Sequence, residues 1–294
     1  MKCCSMALVG GWLVVTLSYA TEPVSDMPDD PVAYVTTTYD GETDLDLDGM
    51  AGSGGRVRFW ESEAYVSAPL ATNAEWVVAL GGSLSWTRLE FENLPEIGDS
   101  LDLYGIGVPL DLLHTGIERW TLWAQVMPAA MSDFRHVTAD DYRVLASGLA
   151  LYQYSPRLQV AAGAAYNREF GRDLLYPVGG VQWDPGARLR VSLMIPRPAI
   201  TYLATDRLLL FAEARPAGSM WNIHVPGEDA DSDLKLETWR LGAGAEYRLA
   251  GACWISLAAG ADIMRHYELH SGDDPILDAD AEDTWFARLG FAVR

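Results

Sequence analysis

A chain of 294 residues with 41 acidic against 21 basic side chains carries a formal charge of −20, which argues against nucleic acid as a partner. Hydrophobic residues make up 49% of it, too many for an acidic disordered protein, yet no apolar run after residue 20 is long enough for a membrane-crossing helix. A membrane protein of this composition has to cross with strands closed into a barrel, whose backbone groups are satisfied between neighbours; a secreted β-sandwich is the soluble alternative.

In residues 1–20 a single cation, Lys2, precedes an apolar stretch from Ala7 to Leu17 and then Ser18-Tyr19-Ala20, the pattern of a secretory signal peptide cut before Thr21. Its apolar core is too short to span about 30 Å of hydrocarbon. Cys3 and Cys4 leave with it, so Cys253 alone remains and no intrachain disulfide or cysteine metal cluster is expected. Residues 21–31, rich in Pro and Asp, read as a periplasmic linker, and 32–294 as the barrel.

Strands are predicted at 33–39, 56–67, 75–91, 101–113, 120–132 and 142–154, then at 158–170, 174–183, 189–195, 199–204 and 207–215. In the third, Trp76, Val78, Leu80, Leu84 and Trp86 share one face. Pro196-Arg197-Pro198 cannot sit in a central ladder, because proline donates no hydrogen bond, so the chain reverses there. The last three runs are the most regular. Trp239, Leu241, Ala243, Ala245 and Tyr247 alternate with Arg240, Gly242, Gly244, Glu246 and Arg248; Ile255, Leu257, Ala259, Ala261, Ile263 and Tyr267 alternate with Ser256, Ala258, Gly260, Asp262 and His266; Trp285, Leu289 and Phe291 alternate with Arg288 and Gly290. That is period two, and an amphipathic helix would not keep the charges on one side.

The reading is therefore an all-β, antiparallel, up-and-down transmembrane β-barrel of about 14 strands, with 12 as the other count. Short connections at 69–73, 114–118, 155–156, 184–187, 205–206 and 250–252 alternate mostly with longer polar ones at 41–55, 92–100, 133–141, 225–233 and 268–283, as in outer-membrane barrels with both termini periplasmic. Trp239 and Tyr247, eight residues apart on a tilted strand, span about 20 Å, close to the roughly 25 Å apolar band of such barrels. Trp254, Tyr267 and Trp285 also fall near strand ends, where aromatic belts form.

The stretch Gly171-Arg172-Asp173-Leu174-Leu175-Tyr176-Pro177-Val178-Gly179-Gly180-Val181-Gln182-Trp183, with Leu193-Met194-Ile195-Pro196-Arg197-Pro198 and Tyr202, resembles a bacterial family of outer-membrane barrels catalogued as a domain of unknown function. The resemblance implies an outer-membrane barrel and supplies no catalytic residues.

For chemistry, the inward set is Glu169, Arg190, Glu213, Arg215, Arg240, Glu246, Arg248, Asp262 and Arg288, predicted to line the lumen. Paired across strands these charges close the interior; segregated around an open lumen they orient permeating solutes. Fourteen strands favour the open or ligand-holding form. Asp44, Asp46 and Asp48 open like a calcium loop, but its twelfth position is Gly55 where a bidentate Glu belongs, so bound Ca2+ is a weak expectation. Asp262 and His266 share a predicted strand face about 13 Å apart, too far to form a catalytic pair. The expected function is a non-enzymatic barrel that passes or binds small solutes, surrounded by outer-membrane lipid and inserted by the barrel-assembly machinery. The alternatives are a closed structural or surface-interaction barrel binding cations or partners through acidic loops, and a barrel-embedded lipid hydrolase.

Overall fold

The computed structural model describes residues 3–9, 12–18, 26–47, 55–93, 98–224, 232–271 and 274–294. Cys3–Val9 and Trp12–Ser18 pair as a separate antiparallel hairpin. Every described strand from Ala33 to Val293 belongs to one closed sheet.

The fourteen strands of that sheet, numbered along the chain, are β1 (Ala33–Leu47), β2 (Gly55–Thr72), β3 (Trp76–Glu92), β4 (Ser100–Gly107 with Leu110–His114), β5 (Trp120–Ser132), β6 (Tyr142–Ser155) and β7 (Leu158–Asn167). They continue with β8 (Leu174–Gly186), β9 (Leu189–Ile195), β10 (Ala199–Thr205), β11 (Leu208–Pro216 with Ser219–Ile223), β12 (Ser232–Ala250), β13 (Cys253–Ser271) and β14 (Asp274–Ala281 with Thr284–Val293). Each pairs antiparallel with the next, and β14 pairs with β1, Arg288 opposite Thr38, to close the ring. Both termini of the ring lie at the end with the tight turns, here the turn end; the opposite end is the loop end.

Two predicted loops are strand. Gly41 to Leu47 continues β1, and most of 268–283 belongs to β13 and β14. The extra length builds a second tier. At about 3.3 Å per residue and a 40° tilt, the 19 residues of β12 reach roughly 48 Å, about twice the apolar band of a barrel. Strands β6 to β10 stop short of this height, and Asn222 of β11 pairs in parallel with Ser132 of β5 above them. The upper tier is thus a ring of β1 to β5 and β11 to β14 alone. A ring of eight or nine strands is just wide enough for side chains to fill.

Polarity inverts between the tiers along single strands. On β2 the outward residues Arg56 and Arg58 give way to Trp60, Ala64 and Val66, while inward Val57 and Phe59 give way to Glu61 and Glu63. On β3 outward Glu92, Glu90 and Arg88 precede Trp86, Leu84, Leu80 and Trp76; on β12 outward Lys235 and Glu237 precede Trp239 and Leu241, and inward Leu234 and Leu236 precede Arg240. Apolar groups face out where the surroundings are hydrocarbon and face in where they are water. Trp76 and Trp86 stand ten residues apart on one face, about 25 Å of tilted strand, and mark the two edges of the band. Tyr39, Trp60 and Trp285 cluster at the upper edge, with ring centroids 4.5 and 5.4 Å apart.

Two register shifts let the strands make this change. One lies between Asp40 and Thr43 of β1; the other is at Met264 of β13, whose φ of 54° marks a bulge. Because a one-residue slip exchanges the faces, Arg265, Tyr267 and Leu269 point inward beyond the bulge and His266 and Glu268 outward. Tyr267 is therefore a buried core residue and not part of an aromatic belt. Trp254 also faces in, against Leu203 and Leu209.

Candidate functional site

The interior is filled at the loop end. Leu45, Val57, Phe59, Leu89, Phe91, Leu101, Leu103, Trp221, Ile223, Leu234, Leu236, Tyr267, Leu269 and Leu277 form one dry cluster contributed by strands around the upper ring. Above β9 and β10, which are only seven residues long, the connection 168–173 fills the missing height of wall. Buried Arg168 donates to Asp173 at 2.8 Å and to the Met220 carbonyl at 3.1 Å, and Phe170 packs against Tyr176 and Trp239.

Below the dry cluster lies a charged layer. Arg240, fully buried, donates to Asp262 at 2.8 and 2.6 Å, to Glu61 at 3.1 Å and to Asp40 at 3.3 Å. Its guanidinium also stacks on Phe286, 4.9 Å from the ring centre. Phe286 fits because Gly242 and Gly260 lack side chains: a Cβ on either would lie 2.7 Å from its ring. These glycines thus make room for the aromatic that supports an arginine bonded to three carboxylates.

Toward the turn end the interior divides. On the β2 to β8 side it is packed, with Tyr65, Val77, Leu113, Trp123, Leu149 and Leu151 in a second apolar cluster, and Asp111 held by Trp123 Nε1 at 3.1 Å and Gln125 at 2.9 Å. On the β8 to β14 side a cavity of about 230 Å³ remains. Its charged lining is Arg190, Arg197, Arg215, Arg288 and Arg294 with Asp30, Glu63, Glu213 and Glu246; its apolar lining includes Val178, Met194, Leu209 and Phe211. Residues 27–31 cross its turn-end side, where Arg294 donates to the Asp29 carbonyl at 2.6 Å.

Of the nine predicted lumen residues, Arg190, Glu213, Arg215, Glu246 and Arg288 line this cavity, and Arg240 and Asp262 form the charged layer. Glu169 sits on the connection 168–173 and not on a strand, bonded to Arg197 and Tyr176. Arg248 lies over the inward-facing Trp254 at 5.9 Å, outside the cavity. Fourteen strands predict an open or ligand-holding interior; the strand count holds only for the lower tier, where apolar side chains occupy one side and the cavity remains on the other. Asp40, Glu61, Glu63 and Arg294 belong to the interior and were absent from the predicted set. Glu61 and Glu63 alternate with the outward Trp60, a signal already present in the sequence, whereas Asp40 fell one residue past the predicted strand.

The remaining predicted groups face outward. Asp44 and Asp46 stand on an extended strand, opposite Arg56 and Asp280, so they do not converge as a calcium loop does; Asp48 lies outside the described residues. Asp262 and His266 are on opposite faces because of the bulge at Met264, and the shared face predicted for them is wrong. His266 instead bonds Asp280 at 2.9 Å and Glu268 at 3.2 Å, and Lys235 holds Glu268 at 2.8 Å. Partial burial acts to lower the His266 pKa, but the bonds from Asp280 and Glu268 and the charge of Asp278 outweigh it and raise it above 6.5. A raised folded-state pKa means that the protonated histidine stabilises this pairing fully below pH 6.5, an advantage lost as pH rises through the raised value. An NMR titration of the His266 ring is expected to give a midpoint above 6.5 that falls back in Asp280→Asn; a midpoint at or below the ordinary value would contradict the geometry.

A family model described as a domain of unknown function, DUF6268, matches residues 70–273. No curated protein matches the chain. Among solved structures, a FadL homologue from Pseudomonas aeruginosa is similar at 12% identity with a TM-score of 0.50, covering 89% of each chain. The COG4313 outer membrane channel from Pseudomonas putida F1 is similar at 9% identity with a TM-score of 0.48, covering 94% of this chain and all of that one. At such identities the likeness is one of fold, and the fold is that of outer-membrane β-barrels.

Proposed function

This chain belongs to the DUF6268 family, and we propose that it is an outer-membrane barrel that admits one class of small solute to an internal cavity, in contrast to a wide general porin. The observation that carries this is the cavity of about 230 Å³ lying beneath a charged layer and a dry cluster and beside a second apolar cluster. A general porin keeps an aqueous channel through its full height. Here a solute passes between the loop end and the cavity only when the groups of the charged layer and the dry cluster move, which makes passage selective and slow.

In this reading the turn end faces the periplasm and the charged upper tier stands outside the cell, with lipid around the band between Trp76 and Trp86. No catalytic role is proposed: His266 is held in a surface ion-pair group and Asp262 is committed to Arg240. Reconstituted in planar bilayers and proteoliposomes, the protein is expected to give no steady steps of general-porin size while still carrying labelled small solutes above protein-free vesicles. Wide, steady steps would overturn the selectivity, and uptake no faster than through bare lipid would overturn transport.

A further inference from the structure

The charges that line the cavity are matched with one exception on each side. Arg288 bonds Glu213 at 2.6 Å, Arg190 bonds Asp184 at 3.0 Å, Arg294 bonds Glu246, and Arg197 bonds Glu169. Arg215 is 9% exposed, lines the cavity, and has no hydrogen bond or ion pair among the described residues; its Nε is buried without an acceptor. Glu63 faces the same cavity and is likewise without a hydrogen bond or ion pair among the described residues. Glu63 is the carboxylate that acts most strongly on Arg215 without bonding it directly; a buried guanidinium nitrogen without an acceptor is costly, and a ligand that meets it recovers that cost as a charge-assisted bond.

The two groups are close enough for one small molecule to touch both. Arg240 of β12 spans the interior to reach Glu61 of β2 at 3.1 Å. Glu63 is the next inward residue on β2, and Arg215 is the register partner of Arg240 on β11. An anion bound at Arg215 would bring a second negative charge toward Glu63, and a cation at Glu63 would leave Arg215 unmatched. A molecule with both charges satisfies both. The rest of the wall, Leu149, Val178, Met194, Leu209 and Phe211, asks for an apolar body. At about 230 Å³ the cavity is below the range of drug-sized pockets and suits a small molecule.

We propose that the cavity takes a small zwitterion with an apolar body, the chemistry of an apolar α-amino acid, with its carboxylate on Arg215, its ammonium on Glu63 and its side chain against Leu209, Phe211 and Met194. This rests on the solute-binding reading above and names the solute class.

The test is calorimetric titration of the full-length protein in detergent with four probes of one shape: L-leucine, its deaminated acid 4-methylpentanoate, its decarboxylated amine 3-methylbutylamine, and the uncharged 3-methylbutan-1-ol. L-leucine is expected to bind at least tenfold more tightly than the others. Arg215→Gln and Glu63→Gln should each weaken it at least tenfold, and should shift the preference in opposite directions, Glu63→Gln toward the acid and Arg215→Gln toward the amine. Neither side chain makes a direct bond that the substitution would break, and both variants should keep the heat-dependent gel shift of the folded barrel. If the acid, amine or alcohol binds the wild type as tightly as leucine, or if the two variants leave leucine binding unchanged, the assignment falls and solute binding stands. If none of the four binds, the assignment falls, and the uptake measurement above decides whether the solute-binding reading stands.

Discussion

Arg240→Met is expected to remove about 3–5 kcal/mol of stability and to leave most of the protein unable to show the heat-dependent gel shift of a folded barrel. Asp262, Asp40 and Glu61 all accept from this guanidinium inside the ring, so its loss leaves three carboxylates facing one another away from water. Phe286 loses its stacking partner in the same step. The damage comes from stranding the anions, not from the missing attraction alone. Adding Asp262→Asn and Asp40→Asn to Arg240→Met should therefore restore a large part of the loss, a non-additive outcome that a double-mutant cycle measures directly. Urea midpoints in detergent unchanged by Arg240→Met alone would show that the layer does not hold the barrel closed.

Leu234→Asp is the second large effect. The side chain is fully buried in the dry cluster of the upper tier, where an ionised carboxylate finds no partner and costs several kcal/mol. Its neighbour Lys235 points outward into the pairing with Glu268, and Lys235→Ala should change stability by about 1 kcal/mol or less, as surface ion pairs do. The measurement is limited proteolysis of the folded protein. Leu234→Asp should open the upper tier to cleavage while the lipid-facing band stays protected, and Lys235→Ala should leave both intact. Equal resistance in the two variants would mean that the upper tier is not a packed core.

Much of this architecture was legible in alternation. Strand number, the reversal at Pro196 to Pro198, and the inward direction of Arg240, Glu246, Asp262 and Arg288 follow from period two and proline chemistry. The upper tier was not legible, for two physical reasons. Alternation is blind to a bulge, and the extra residue at Met264 moves Tyr267 from the outside to the core and takes His266 the other way. Acidic stretches such as 41–47 and 274–283 have the composition of loops, whereas a sheet standing in water wants those charges on its outer face. A signal was present all the same. Arg58 before Trp60, Arg88 beyond Trp86 and Glu237 before Trp239 place the switch of polarity at an aromatic on each strand. The cavity was less visible still, since its two unmatched groups come from β2 and β11 and only closure of the ring brings them to one space.

The position of those tryptophans fixes how deep the protein rides. Sliding it inward by one residue pair would drag Arg58 and Arg88 into hydrocarbon, at up to about 2–4 kcal/mol for each cation carried to mid-depth. Sliding it the other way would lift Trp60 and Trp86 out of the headgroups and bare leucines to water. With such stops on several strands at once, a thicker or thinner bilayer has to adjust its own thickness at the rim, and the protein stays at one height.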